Sequence, residues 1–258
     1  MNEKLFAHLE WRTSPLSMAE FLERMRQYVR RLAEVSDVFG VLRITRAPKS
    51  HPPIRPEDDD FIDRLIPFAY DREFPHDGLD DRSKPTRHTT APYGLMISLS
   101  TPGPDRNCIW FWLDDGPTGV DSVAATHMYF PASGDLAGMD LAEALFRASV
   151  AFWAPAWGWL TASSVGEAGQ GIRVGWRTYL GVPALMPRLP AGVLTERVPP
   201  GGVLVSLHGD AFDPADPAQI AEAKSIQNSL VREGLLRRKA KAEVPPDSQV
   251  IGRGLSAG

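Results

Sequence analysis

Apolar and polar positions alternate from the start of the chain, with Leu5, Ala7 and Leu9 set against Phe6, His8 and Glu10. A period of two marks a strand with one face in a core, so residues 4–10 are predicted to form the first strand. The period then lengthens. Met18, Phe21, Leu22, Met25, Val29 and Leu32 recur at helical spacing, with Arg24, Arg26, Arg30 and Arg31 mostly between them. That pattern gives a helix with a buried stripe and a solvated face. Ser17 and Glu20 hold the two positions of a capping box in front of it. Residues 38–45 read as a second strand. Glu57, Asp58, Asp59 and Asp60 precede a short apolar pattern at 61–66, where carboxylates would offset the partial positive charge of a helix start. Pro67 should end that helix.

Residues 71–90 are polar, with Pro75, Gly78 and Pro85, and a loop of this length is often functional. Strands resume at 93–100 and 107–113, joined by Thr101-Pro102-Gly103-Pro104 as a hairpin, and 124–130 follows the turn Asp114-Asp115-Gly116-Pro117 as a third antiparallel strand. Asp140 and Glu143 open a helix whose inner face is predicted to be Leu141, Leu145, Ala148 and Phe152, stopping near Pro155. Further strands are expected at 157–163, 173–180, 193–197 and 202–207. A last helix starts at Asp213-Pro214 or Asp216-Pro217, buries Ile220, Ala223, Ile226, Leu230 and Val231, and stops at Gly234. Strands come in runs and do not alternate strictly with helices. The expected class is therefore α+β, a mostly antiparallel sheet with three or four helices packed against it. No repeat or linker divides the chain, so 1–236 is expected to be a single domain. Residues 237–258, charged and then rich in Pro, Gly and Ser, are expected to be a flexible tail.

Composition changes this picture little. At 258 residues, 43% hydrophobic and 23% charged, the chain can bury a full core without metals or disulfides. A net charge of −4 and a pI near 5.9 favour neither nucleic acid nor an anionic membrane as partner. The one cysteine, Cys108, allows no internal disulfide and suits a reducing compartment. The first residues lack the apolar core of a signal peptide, and no run reaches the roughly 18 apolar residues of a membrane helix. The expected location is the cytoplasm.

Catalytic signatures are scarce. The sequence has no phosphate-binding Gly-rich loop, no Gly-x-Ser-x-Gly elbow and no His-Glu-x-x-His. His76 and His88 share the polar loop with Asp77, Asp80 and Asp81, which reads better as solvated than as a metal site. Cys108 sits in the apolar run Ile109-Trp110-Phe111-Trp112, where burial makes a thiol inert. Neither an enzyme mechanism, nor a cofactor, nor a metal is expected. Trp153, Trp157, Trp159 and Trp176 cluster in sequence and suit either core packing or a stacking platform for a sugar or a protein hot spot. Two functions follow from that choice, a protein-binding module and a small-ligand or carbohydrate binder using exposed tryptophans.

Phe152-Trp153-Ala154-Pro155-Ala156-Trp157-Gly158 resembles the W-x-P-x-W element of the immunity protein 52 family, and Val174-Gly175-Trp176-Arg177-Thr178-Tyr179-Leu180 is similar to its G-W-x-T-Y-L element. Gly201-Gly202-Val203-Leu204-Val205 and the closing Glu233-Gly234-Leu235-Leu236 also match, and 21–32 resembles the family's first helix. The resemblance implies an immunity protein of a bacterial polymorphic toxin system. Such a protein neutralises a cognate toxin by stoichiometric binding, in a setting of contact-dependent competition and type VI secretion. It also implies a toxin partner, often a restriction-endonuclease-like nuclease, whose basic active site would be met by carboxylates. Here those are Glu57, Asp58, Asp59, Asp60, Asp77, Asp80, Asp81, Asp114 and Asp115. The motif residues Trp153, Pro155, Trp157, Gly175, Trp176, Thr178, Tyr179 and Leu180 are expected to be structural.

Overall fold

The computed structural model describes residues 4–12, 16–71, 87, 95–103, 107–114, 123–163, 172–181, 187–208, 213 and 215–236. The expected tail at 237–258 lies outside them, as do most of the polar loop at 71–90 and its histidines His76 and His88. In chain order the elements are β1 (Leu5–Arg12), α1 (Met18–Ala33), β2 (Arg43–Ile44), α2 (Phe61–Leu65), β3 (Tyr70–Asp71), β4 (Leu95–Ser100), β5 (Trp110–Asp114), β6 (Val123–Tyr129), α3 (Met139–Trp153), β7 (Trp157–Ala162), β8 (Arg177–Leu180), β9 (Leu194–Val198), β10 (Gly202–Ser206) and α4 (Pro217–Arg232). The ten strands form one sheet in the order β2-β4-β5-β6-β1-β7-β8-β10-β9, with β3 also paired to β4. All the pairings are antiparallel. The class is α+β, as the grouping of strands predicts.

β1 is the hinge of the topology. It lies between β6 and β7, with Leu9 opposite both Thr126 and Gly158. Gly158 allows this approach, because a Cβ there would stand 2.9 Å from the His8 carbonyl oxygen. One sheet face, carrying Ala7, Leu9, Met128, Phe111 and Leu99, packs beneath α1 and α3. Trp11 stacks on Trp153 of α3 at a centroid distance of 4.4 Å and 12°. The Tyr28 and Ser149 hydroxyls share a 2.7 Å hydrogen bond across the α1–α3 contact, and Ser149 Oγ lies 2.7 Å from the Leu145 carbonyl oxygen. The capping box of α1 is complete. Glu20 N–H donates to Ser17 Oγ, and Glu20 Oε2 accepts from Ser17 N–H at 2.8 Å. Its stripe Met18, Phe21, Leu22, Met25, Val29 and Leu32 is buried, together with Tyr28.

Four expectations need correction. Residues 38–45 do not form a continuous strand, because a 3-10 turn at Asp37–Gly40 swings Phe39 into the core against Phe111, 5.7 Å between rings. Only Arg43–Ile44 remains as strand. α3 is rotated relative to its predicted face. Leu141 and Phe152 are half-buried, while Ala142, Phe146, Ser149 and Trp153 are inside. Stacking of Trp153 on Trp11 and the small residues facing α1 explain that rotation. The strand predicted over 173–180 starts only at Arg177. Ahead of it, the Arg173 backbone N–H donates to the Gln227 side chain of α4. In α4, Ala223, Ile226 and Leu230 are buried as expected, whereas Ile220 and Val231 are half-buried.

Candidate functional site

The acidic run lies between β2 and α2. Glu57 is exposed and 3.9 Å from Arg30 of α1. Asp58 accepts from the Arg55 N–H at 2.9 Å and from Arg64 at 3.4 Å, while its carbonyl accepts from Arg26. Asp59 and Asp60 are exposed. Asp60 is the residue before α2 but makes no capping bond. The run is therefore half neutralised by α1 and α2 arginines, leaving Asp59 and Asp60 as its open charges. Asp114 was expected in a turn; it is instead the last residue of β5, 3% exposed, and so is not presented at the surface. Asp77, Asp80, Asp81 and Asp115 lie outside the described residues. No group of three metal-binding side chains occurs among the described residues.

The two tryptophan motifs meet in the core. α3 ends at Trp153, Ala154 turns the chain in the left-handed region at φ 46°, and Pro155 is buried. Ala156 N–H donates to the Glu10 carbonyl at 2.8 Å, and Gly181 N–H donates to the Ala156 carbonyl at 2.9 Å. The end of the second motif is thus tied to the middle of the first. Gly175 lies so close to β7 that a Cβ would stand 2.5 Å from the Leu160 carbonyl oxygen, and its N–H donates to Thr178 Oγ1 at 3.0 Å. The Arg177 guanidinium covers the Trp176 ring at 3.6 Å. It also bonds Glu143 of α3, which Arg147 holds from the next turn. Tyr179 fills the space beside Gly202, where a Cβ would strike its ring. Trp153, Trp157, Trp159, Trp176, Thr178, Tyr179 and Leu180 are all buried.

The other sheet face is different. Because side chains alternate, Phe6 and His8 of β1, His127 and Tyr129 of β6, and Trp110 and Trp112 of β5 stand side by side opposite α1 and α3. Trp112 stacks on His127 at 4.3 Å, His127 lies 4.4 Å from His8, and Trp110 lies 5.2 Å from Tyr129. Trp157 continues the row beyond His8, with the Arg173 guanidinium 4.2 Å above its ring. Trp110 is 36% exposed at the other end. It forms a wall of a 580 Å³ cleft, together with Tyr129, Phe130 and Pro131 on the sheet side, Arg43 of β2, Lys49 and His51 of the loop after it, and Lys4 just before β1. Sequence reasoning missed this site, since its parts come from four separate stretches. The available signal was Trp110 and Trp112 two residues apart in a strand, hence on one face.

The described residues thus define a sheet-and-helix protein with a packed motif core, a patterned surface and no helix long and apolar enough to cross a membrane. Residues 136–239 match the immunity protein 52 family, the stretch that holds both tryptophan motifs. A solved structure with a similar trace is the Pseudomonas aeruginosa T6SS protein PA0821, with a TM-score of 0.48 and 10% identity over 90% of this chain and 74% of that one. No curated relative matches.

Proposed function

We propose that this protein is an immunity protein that binds a cognate secreted bacterial toxin in the cytoplasm and neutralises it by stoichiometric occlusion, with no reaction catalysed. The observation that carries this reading is the family match over residues 136–239. The motif residues serve the core in this reading, so recognition belongs to surfaces outside them. The partner is a toxin domain of a polymorphic system, a nuclease of the restriction-endonuclease-like type, delivered by contact-dependent competition through type VI secretion. Carboxylates at Glu57, Asp58, Asp59 and Asp60 would meet the basic rim of such an active site and speed encounter. Asp77, Asp80, Asp81 and Asp115 extend that proposal. The residues are expected to fold as one domain over 1–236.

Growth rescue tests the reading. The toxin domain encoded beside this gene is expressed in a test bacterium with and without this protein. Restored growth at matched expression supports immunity. Killing that proceeds regardless of the protein refutes it. Asp59→Lys with Asp60→Lys should slow association and flatten its dependence on ionic strength; unchanged kinetics would remove these acids from the contact.

A further inference from the structure

Several carboxylates of this surface are paired. Glu57 pairs with Arg30, Asp58 with Arg64, Asp63 with Arg87, Glu143 with Arg147 and Arg177, Glu196 with Arg147, and Glu10 with Arg173. Exposed cations elsewhere, among them Arg12, Arg24, Arg55 and Lys224, also make no ion pair among the described residues, but at the cleft beside Trp110 three such cations line one space. Lys4, Arg43 and Lys49 are exposed around it, none makes an ion pair among the described residues, and the described lining contains no aspartate or glutamate. Cations that converge on a partly enclosed, aromatic-walled space are screened less than cations on open surface, so their field selects an anion there. The walls add a second requirement. The Trp110 indole and the neighbouring Tyr129 offer apolar area that an inorganic ion would leave uncovered, and exposed Trp and Tyr beside positive charge are the residue types that dominate protein contacts.

We infer that this cleft receives an acidic segment of the toxin, one that presents a carboxylate next to an apolar or aromatic side chain. The inference rests on the immunity reading. The carboxylate sits among Lys4, Arg43 and Lys49, and the neighbouring side chain packs on Trp110 and Tyr129. A stable contact buries about 800 Å² on each partner, more than the cleft supplies, so it acts as the anchor of a wider patch. The patch continues along Trp112 and His127. The acidic run at 57–60 is held by Arg26 and Arg30 of α1, which packs on the other sheet face, so basic groups that meet it would form a second contact with the same partner.

The test uses the full chain and a catalytically inactive toxin domain, with affinity measured by titration and protection by growth rescue. Three variants are compared with the wild type: Arg43→Glu with Lys49→Glu, Trp110→Ala, and the milder Arg43→Gln with Lys49→Gln. All three alter exposed groups, and equal melting temperatures would establish that they fold. The reversal pair and Trp110→Ala should each weaken binding by about tenfold or more, and the glutamine pair by less. If the wild type protects and the variants bind within about twofold of it, the cleft is not the anchor and this inference alone falls. If the wild type neither binds nor protects, the immunity reading fails and the inference falls with it. Binding of the reversal pair that strengthens would show that the cleft faces basic groups, which also overturns it.

Discussion

Trp176 sits where the second motif turns into β8, with the Arg177 guanidinium on one side of its ring and the core on the other. Replacing a buried ring of this size by alanine costs about 3–5 kcal/mol, against a total stability of roughly 5–15 kcal/mol for a domain. Trp176→Ala is therefore expected to lower the urea midpoint severely or prevent folding, and to lose toxin binding only in step with folded protein. A variant that melts normally yet fails to bind would make Trp176 a contact residue. Trp159 gives a sharper comparison. Its indole N–H is buried with no hydrogen-bond acceptor among the described residues, a burial that costs free energy. Trp159→Phe removes that donor along with some area, so it should cost about 1 kcal/mol or less, well under Trp159→Ala in the same denaturation series. Trp176 stands in the second of the two motifs, which were legible through resemblance and whose residues are expected from the sequence to be structural. Trp159 lies outside both motifs, and a tryptophan taken alone suits a core or a platform. The neighbours that bury the two rings come from elsewhere in the chain and are not visible in the local sequence.

At the scale of elements, local signals carried furthest where the interaction is itself local. The Ser17–Glu20 box and the α1 stripe were readable since every partner lies within a few turns. The rotation of α3 was not, because Trp11 and Tyr28, which set it, come from elsewhere in the chain. The end of α3 invites a stability test. Ala154 holds a left-handed conformation that glycine adopts without strain. Ala154→Gly should raise stability by about 0.5–1 kcal/mol, the relief being larger than the entropy that glycine adds to the unfolded chain. A lower melting temperature would show that the methyl group contributes packing that outweighs the strain. α3 is also clamped electrostatically. Burial raises the Glu143 carboxyl pKa, but hydrogen bonds from Arg177 and Arg147 more than offset it and hold the pKa below its ordinary 4.5. A group depressed in the folded state stabilises fully above that ordinary value and loses its contribution as pH falls through the folded one. Glu143→Gln should thus cost on the order of 1 kcal/mol at pH 7, and its unfolding curve should converge on that of the wild type as the pH drops below 4.5. A difference that persists unchanged at pH 3 would mean that the side chain acts through its shape.

Across the whole molecule, the class was readable and the topology was not. Strands in runs announce an antiparallel sheet, but nothing local places β1 between β6 and β7, a pairing that joins residues more than a hundred positions apart. The consequence reaches the surface, because that arrangement grades the seven tryptophans from buried to exposed. Trp11, Trp153, Trp157, Trp159 and Trp176 are buried, Trp112 is half-buried, and Trp110 is exposed beside Lys4, Arg43 and Lys49. Collisional quenching separates the exposed ring from the buried ones without any knowledge of the toxin. Iodide, drawn by the cleft's cations, should quench a minor fraction of the fluorescence, and caesium, repelled by them, should quench less at equal concentration. Trp110→Phe should abolish most of the iodide-accessible fraction while leaving the emission of the core in place. Arg43→Glu with Lys49→Glu should keep Trp110 accessible but reverse the preference between the two ions. Equal quenching by both ions in the wild type would show that the cations do not dominate the potential at Trp110. An iodide-accessible fraction unchanged by Trp110→Phe would place the accessible tryptophan elsewhere and leave the aromatic sheet face covered.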